Sequence, residues 1–156
     1  MTTAVQSSWV ALVGNPNSGK TAIFNLLTGL NQKVSNYPGV TVEKKTGQAR
    51  FADGSKFYIL DLPGTYSLTA ESMDERIVTE QVLNWTHGHE PPGVIVSVVD
   101  ATNLSRNLYL TTQLADLGIP VVVALNMMDM VKDEIKIDLE KLANDLGIAA
   151  IVPMSA

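Results

Sequence analysis

Short apolar runs alternate along this chain with longer amphipathic stretches. Residues 9–13 (WVALV), 57–60 (FYIL), 94–99 (VIVSVV), 121–125 (VVVAL) and 149–152 (AAIV) are apolar almost throughout. Runs of that length without polar alternation read as strands buried on both faces, the habit of a parallel sheet. Between them, Val78, Val82 and Trp85 share one helical face, as do Leu110, Leu114 and Leu117. Leu139, Leu142, Ala143 and Leu146 form a third such face, with Asp138 placed to cap its start and Gly147 to end it. The Asp53-Gly54 pair predicts a hairpin turn, which makes the polar run 43–50 an edge strand antiparallel to the strand at Phe57. The prediction is a three-layer α/β fold: a mostly parallel six-stranded sheet with one antiparallel edge strand, flanked by helices. Residues 29–42 and 63–73, rich in Gly, Pro, Asn, Ser and Thr, fit no element and read as loops.

Composition narrows the chemistry. The chain has 156 residues, 46% of them hydrophobic and 17% charged, which suits one folded domain. The absence of cysteine excludes disulfides, thiolate catalysis and Cys-ligated metal centres. A net charge of −5 without a basic stripe argues against nucleic acid as a partner. No apolar run is long enough to span a bilayer and residues 1–8 lack the features of a signal peptide, so this segment is expected to be soluble and cytosolic.

The sharpest motif is Gly14-Asn15-Pro16-Asn17-Ser18-Gly19-Lys20-Thr21, which fits G-x-x-x-x-G-K-[ST] between the first strand and a helix bearing Ala22, Ile23, Leu26 and Leu27. Its glycines let the backbone wrap a phosphate, and its N–H groups and the helix N-terminus point at the anion. Lys20 then reaches the β- and γ-phosphates, and the Thr21 hydroxyl binds Mg²⁺. Asp61-Leu62-Pro63-Gly64 follows a strand; its Asp61 suits Mg²⁺ through a water, and the Gly64 N–H suits a γ-phosphate. Thr41, in the first irregular loop, is a candidate to close on the metal, with Thr28, Ser35 and Thr46 as neighbouring alternatives.

Asn126-Met127-Met128-Asp129 follows the VVVAL strand. A buried carboxylate at Asp129 can accept two hydrogen bonds from guanine, whereas adenine would leave it unsatisfied. Met127 stands where the N-K-x-D motif has Lys, and its thioether can cover the base without the charge. Ser155-Ala156, after the last apolar run, falls where a backbone N–H would meet the guanine O6. The position after Gly64 is Thr65, not the Gln that orients water in many GTPases, so intrinsic hydrolysis is expected to be slow. Neither Arg76 nor Arg106 is placed as a finger. Asn17 suits a tight turn; resemblance to GTPases with an Asn in this loop would imply instead that it helps hold K⁺ against the phosphates. His87 and His89, with Glu90, read as a solvated loop, and Asp133-Glu134 as a solvated turn.

Together these motifs resemble GTP-binding proteins of the translation-factor-related class. More narrowly, 36–43 (NYPGVTVE), 61–68 (DLPGTYSL), 98–110 (VVDATNLSRNLYL) and 124–129 (ALNMMD) are similar to the cytosolic G domain of the prokaryotic ferrous iron transporter B family. The resemblance covers nearly the whole chain. It implies that Thr41 is the switch I threonine and that the loop after Asp61 is switch II. It implies a single G domain over 1–156 ending before the family's final helix, with a helical regulatory domain and a membrane permease as partners in the same polypeptide. The segment would then lie on the cytoplasmic side of the inner membrane, and nucleotide-dependent self-association would be compatible with it. Asn17, Lys20, Thr41 and Gly64 are the expected catalytic group; GTP or GDP, Mg²⁺ and K⁺ are the expected ligands. Two rival readings are an RNA-associated assembly GTPase and a nucleotide-binding regulator that barely hydrolyses.

Overall fold

The structure, a computed structural model, describes residues 9–69, 71–131 and 138–156. The expected turn at Asp133-Glu134 lies outside the described residues. Seven strands form one sheet: β1 (Trp9–Gly14), β2 (Gln32–Asn36), β3 (Glu43–Arg50), β4 (Lys56–Asp61), β5 (Val94–Asp100), β6 (Val121–Asn126) and β7 (Ala150–Pro153). Their order is β2-β3-β4-β1-β5-β6-β7. The pairs β4–β1, β1–β5, β5–β6 and β6–β7 are parallel, and β3 runs antiparallel to both β2 and β4. Among the described residues four α-helices connect them: α1 (Lys20–Thr28), α2 (Met73–Thr86), α3 (Leu104–Ala115) and α4 (Leu139–Leu146).

The expected strands and helices are present, with one more strand than expected. β2 lies inside the stretch 29–42 read as loop, and it takes the sheet edge in place of β3. Every β2 residue is exposed, so burial leaves no mark on its sequence. The hairpin turn at Asp53-Gly54 forms as expected. Gly54 takes φ +89°, and the Asp53 carboxylate accepts from the Ser55 N–H (2.8 Å) and hydroxyl (2.6 Å). Those bonds, the hydroxyl's first, hold the exposed Asp53 carboxyl below its usual range. Asp138 caps α4 by accepting from the Lys141 N–H at 3.1 Å, and Gly147 ends it at φ +71°. Leu117 lies just beyond α3 and still packs on the core.

The two sheet faces are filled unequally. Ala11, Val13, Ile95, Val99 and Val123 meet α2, α3 and α4 through Val78, Trp85, Leu110, Leu114 and Ala143. Trp9 and Trp85 close one end of that layer edge to face, centroids 5.7 Å apart. On the other face Leu12, Ile59, Ala49 and Val98 pack under Ile23 and Phe24 of α1. Beyond α1, Val96 and Val122 are only half-buried on that face.

Gly47 sets how closely α1 approaches β3. A Cβ there would lie 2.3 Å from the Thr28 Cγ2 and 3.1 Å from the Phe24 ring. Gly47→Ala should therefore lower stability by about 1–3 kcal/mol, the usual cost of overpacking. An unchanged denaturant midpoint would show that α1 does not sit at this depth.

Candidate nucleotide site

The motif-bearing turns all leave the carboxyl ends of parallel strands, the edge at which open α/β sheets bind ligands. The phosphate loop leaves β1, the Asp61 loop leaves β4, the Asn126 turn leaves β6 and Ser155-Ala156 follows β7.

In the phosphate loop, Asn17 (φ +65°) and Gly19 (φ +89°) take left-handed backbone. Those turns fold the loop tightly enough for the Ser18 N–H to donate to the Asn15 carbonyl at 3.3 Å. Asn17 is exposed, and its side chain is of a kind that tolerates this backbone, so the turn alone accounts for an Asn there. Asn15 and Ser18 are buried, and both Asn15 amide atoms and the Ser18 hydroxyl have no hydrogen-bond partner. Lys20 is 9% exposed and its ammonium pairs with the Asp61 carboxylate.

A cleft of about 410 Å³ opens beside this pair. Lys20, Thr21, Thr41, Asp61 and Pro63 all line it, so three separate segments converge as the motifs require. The same cleft is lined by Glu43, Lys45 and Asp74, which motif reading did not single out. Lys45 pairs with Asp61 across β3 and β4, and directly opposed residues share a sheet face, so strand parity was the available signal.

The Asp61 loop lies on the phosphate loop. A Cβ on Gly64 would come within 3.1 Å of the Pro16 backbone, a tight approach that a larger residue could make only if Pro16 shifted, and the Thr65 N–H donates to the Gly14 carbonyl at 3.0 Å. Thr65 is fully buried. Its single hydroxyl proton is shared between the Ser67 carbonyl (2.6 Å) and the carboxylate of Glu75 (3.1 Å), a residue of the first turn of α2. Arg106 is stacked over the Tyr66 ring at 4.2 Å. Tyr37, at the start of the β2–β3 turn, is 6% exposed with an unpartnered hydroxyl. Burial pushes its phenol up to about 12, and the Asp61 charge adds to the rise.

The base-side turns meet through Asn126, which is fully buried. Its amide nitrogen donates to the Ser18 carbonyl (3.1 Å), and its oxygen accepts the Ala156 N–H (2.9 Å). Of the backbone N–H groups in the Ser155-Ala156 turn, that of Ala156 is thus engaged with Asn126. Met127 holds a left-handed φ of +65°, and its Cε would be 3.7 Å from a Cβ on Gly19, so the thioether lies against the phosphate loop. Asp129 was expected to be buried, and it is exposed; its N–H donates to the Ser155 hydroxyl at 3.0 Å, leaving the carboxylate open to solvent. Ala22 is half-buried on α1 behind the loop. His87 and His89 are exposed, and no group of three metal-ligating side chains occurs among the described residues.

Asn126→Ala would strip partners from both the Ser18 carbonyl and the Ala156 N–H. It should cost about 1–3 kcal/mol of stability, read as a lower thermal midpoint. A variant as stable as its parent would show that this bridge does not hold the two loops together.

Comparison with known proteins agrees with this geometry. The family model described as ferrous iron transport protein B matches residues 8–156. The chain is 48% identical over 150 residues to the Fe(2+) transporter FeoB of Salmonella typhimurium, and 48% identical over 147 residues to that of Escherichia coli. These alignments cover 93% and 91% of this chain but only 18% of each transporter, so the chain spans less than a fifth of those relatives. Among solved structures, the cytosolic domain of L. pneumophila FeoB is 49% identical with a TM-score of 0.84, over 94% of this chain and 56% of that one. A GDP-bound mutant of the S. thermophilus FeoB G-domain is 48% identical with a TM-score of 0.83, over 95% and 54%. The G domain of the T. maritima FeoB iron transporter is 40% identical with a TM-score of 0.83, over 96% and 87%. With a family model matched from residue 8 to residue 156 and the same sheet as FeoB G domains, this chain belongs to the ferrous iron transport protein B family as its G domain.

Proposed function

We propose that this domain binds GTP, hydrolyses it slowly, and acts as a switch on a ferrous iron permease carried with a helical regulatory domain in the same polypeptide, at the cytoplasmic side of the membrane. The observation that carries the reading is the convergence of Lys20, Thr21, Thr41 and Asp61 on one cleft, with the Asn126–Asp129 turn bonded to the far side of the same loop.

Each residue has a physical task in this reading. The Gly14–Thr21 backbone and the α1 N-terminus cradle the phosphates. Lys20 turns from Asp61 to the β- and γ-phosphates. Thr21, Thr41 and, through a water, Asp61 would hold Mg²⁺. The fit is good: these are hard oxygen donors, and the Asp61 carboxylate already accepts the Lys20 positive charge. Bound there, Mg²⁺ neutralises phosphate charge. Gly64 donates its N–H to the γ-phosphate. Asp129, open to solvent, accepts from guanine N1–H and N2–H₂, with Met127 covering the base and Ser155-Ala156 closing the pocket. Thr65 offers no amide to orient water and its hydroxyl is engaged by Ser67 and Glu75, which supports slow hydrolysis.

Asn17, at the exposed rim of the loop, is the proposed ligand for K⁺, a carboxamide oxygen suited to a weakly hydrated monovalent cation. Such an ion supplies charge that an arginine finger supplies elsewhere. Turnover should therefore be faster in K⁺ than in Na⁺ at equal ionic strength, with GTP affinity little changed, because the effect belongs to the transition state. Asn17→Ala should remove most of the difference. Single-turnover cleavage in the two salts checks this; equal rates would leave Asn17 as a turn residue only.

A further inference from the structure

The three strands at the sheet edge separate charge by face. Five of the chain's 11 Lys and Arg, but only two of its 16 Asp and Glu, lie between Gln32 and Leu60, so this ribbon is positive on a domain of net −5. Register then sorts the side chains. Lys33 opposes Thr46, Ser35 opposes Lys44, Gln48 opposes Tyr58 and Arg50 opposes Lys56, and opposed residues share a face. Lys33, Lys44, Arg50 and Lys56 therefore all stand on one face, and every other β2–β4 residue on it is uncharged. Glu43 and Asp61 fall on the opposite face, toward α1.

The basic face is open. Lys33, Arg50 and Lys56 are exposed, and none of the four cations is ion-paired among the described residues; Lys44 lies 5.8 Å over the Tyr37 ring. Tyr58, 56% exposed, stands in the middle of the array. From Lys44 to Arg50 the array runs about 20 Å along β3. Where α2 begins to cover the sheet, a groove of about 720 Å³ opens between Tyr58, Trp9 and Trp85, and Glu90 at its border is the one acid lining it.

We propose that this face docks the domain against an anionic lipid surface. This inference rests on the reading of the chain as part of a membrane transporter. A planar array of cations about a central tyrosine matches a planar array of headgroups, since tyrosine rings favour the membrane interface and basic side chains are drawn to anionic leaflets. The acidic remainder of the domain is repelled by the same surface, which orients the domain rather than merely attracting it. A single-stranded nucleic acid would instead need several stacking platforms, and Tyr58 is the one aromatic residue that β2–β4 place on this face, the Tyr37 ring beside Lys44 being buried.

Co-sedimentation of the chain with vesicles tests the proposal. The chain should partition onto phosphatidylglycerol-containing vesicles, more weakly as salt is raised, and not onto phosphatidylcholine alone. The triple variant Lys33→Gln, Arg50→Gln, Lys56→Gln, confined to exposed side chains, should reduce partitioning roughly tenfold or more. Lys141→Gln on α4 should change it little. GTP binding measured in parallel should survive the triple variant; loss of GTP binding by the parent chain would fault the nucleotide reading and leave the lipid result standing. Equal binding to both vesicle types, undiminished binding by the triple variant, or binding to RNA but not to vesicles would overturn the proposal.

Discussion

The site is organised around one buried amide. Asn126 ends β6, the strand next to the β7 edge, with no solvent exposure and bonds in two directions, to the phosphate loop at Ser18 and to the final turn at Ala156. A buried carboxamide left unpaired is costly, so each loop is held where it satisfies the other. Gly19 follows from the same constraint: a Cβ there would lie 2.1 Å from the Asn126 amide nitrogen, on a backbone already left-handed. The glycine thus serves both the loop's turn and the close approach of the neighbouring strand.

A second contact couples the other half of the site. Gly64 lies against Pro16 and the Thr65 N–H bonds the Gly14 carbonyl, so the Asp61 loop rests on the phosphate loop. Thr65 and Ser72 both bond Glu75, tying that loop to the start of α2. A ligand that displaced Lys20 from Asp61 would act on this joint directly, which gives the proposed switch a mechanical path from phosphate to helix. Lys44 and Tyr37 stand at the β2–β3 side of the same region.

What the sequence made legible is what backbone geometry dictates. Gly14, Gly19 and Lys20 at their fixed spacing require one loop shape, and apolar runs without alternation require buried parallel strands. β2 escaped because an edge strand exposed on both faces carries no hydrophobic period; only Val34 among its five residues is apolar. Asp129 was expected to be buried because its chemistry suits a base pocket, yet the residue stands open beside Ser155. Asn126 as a bridge, and Lys45 and Asp74 at the mouth of the cleft, depend on pairs distant in sequence. Strand parity could have placed Lys45; nothing local places the others.

The central claim is that the phosphate cleft and the Asn126–Asp129 turn together take a guanine nucleotide, since Asp129 offers a carboxylate to two neighbouring donors that guanine has and adenine lacks. Titration calorimetry of the domain with GDP and with ADP, in the same Mg²⁺ buffer, tests it most directly. The account predicts GDP bound at least about a hundredfold more tightly, the discrimination expected when a site's polar groups are left unpaired by the wrong ligand. Equal affinity for the two would contradict it.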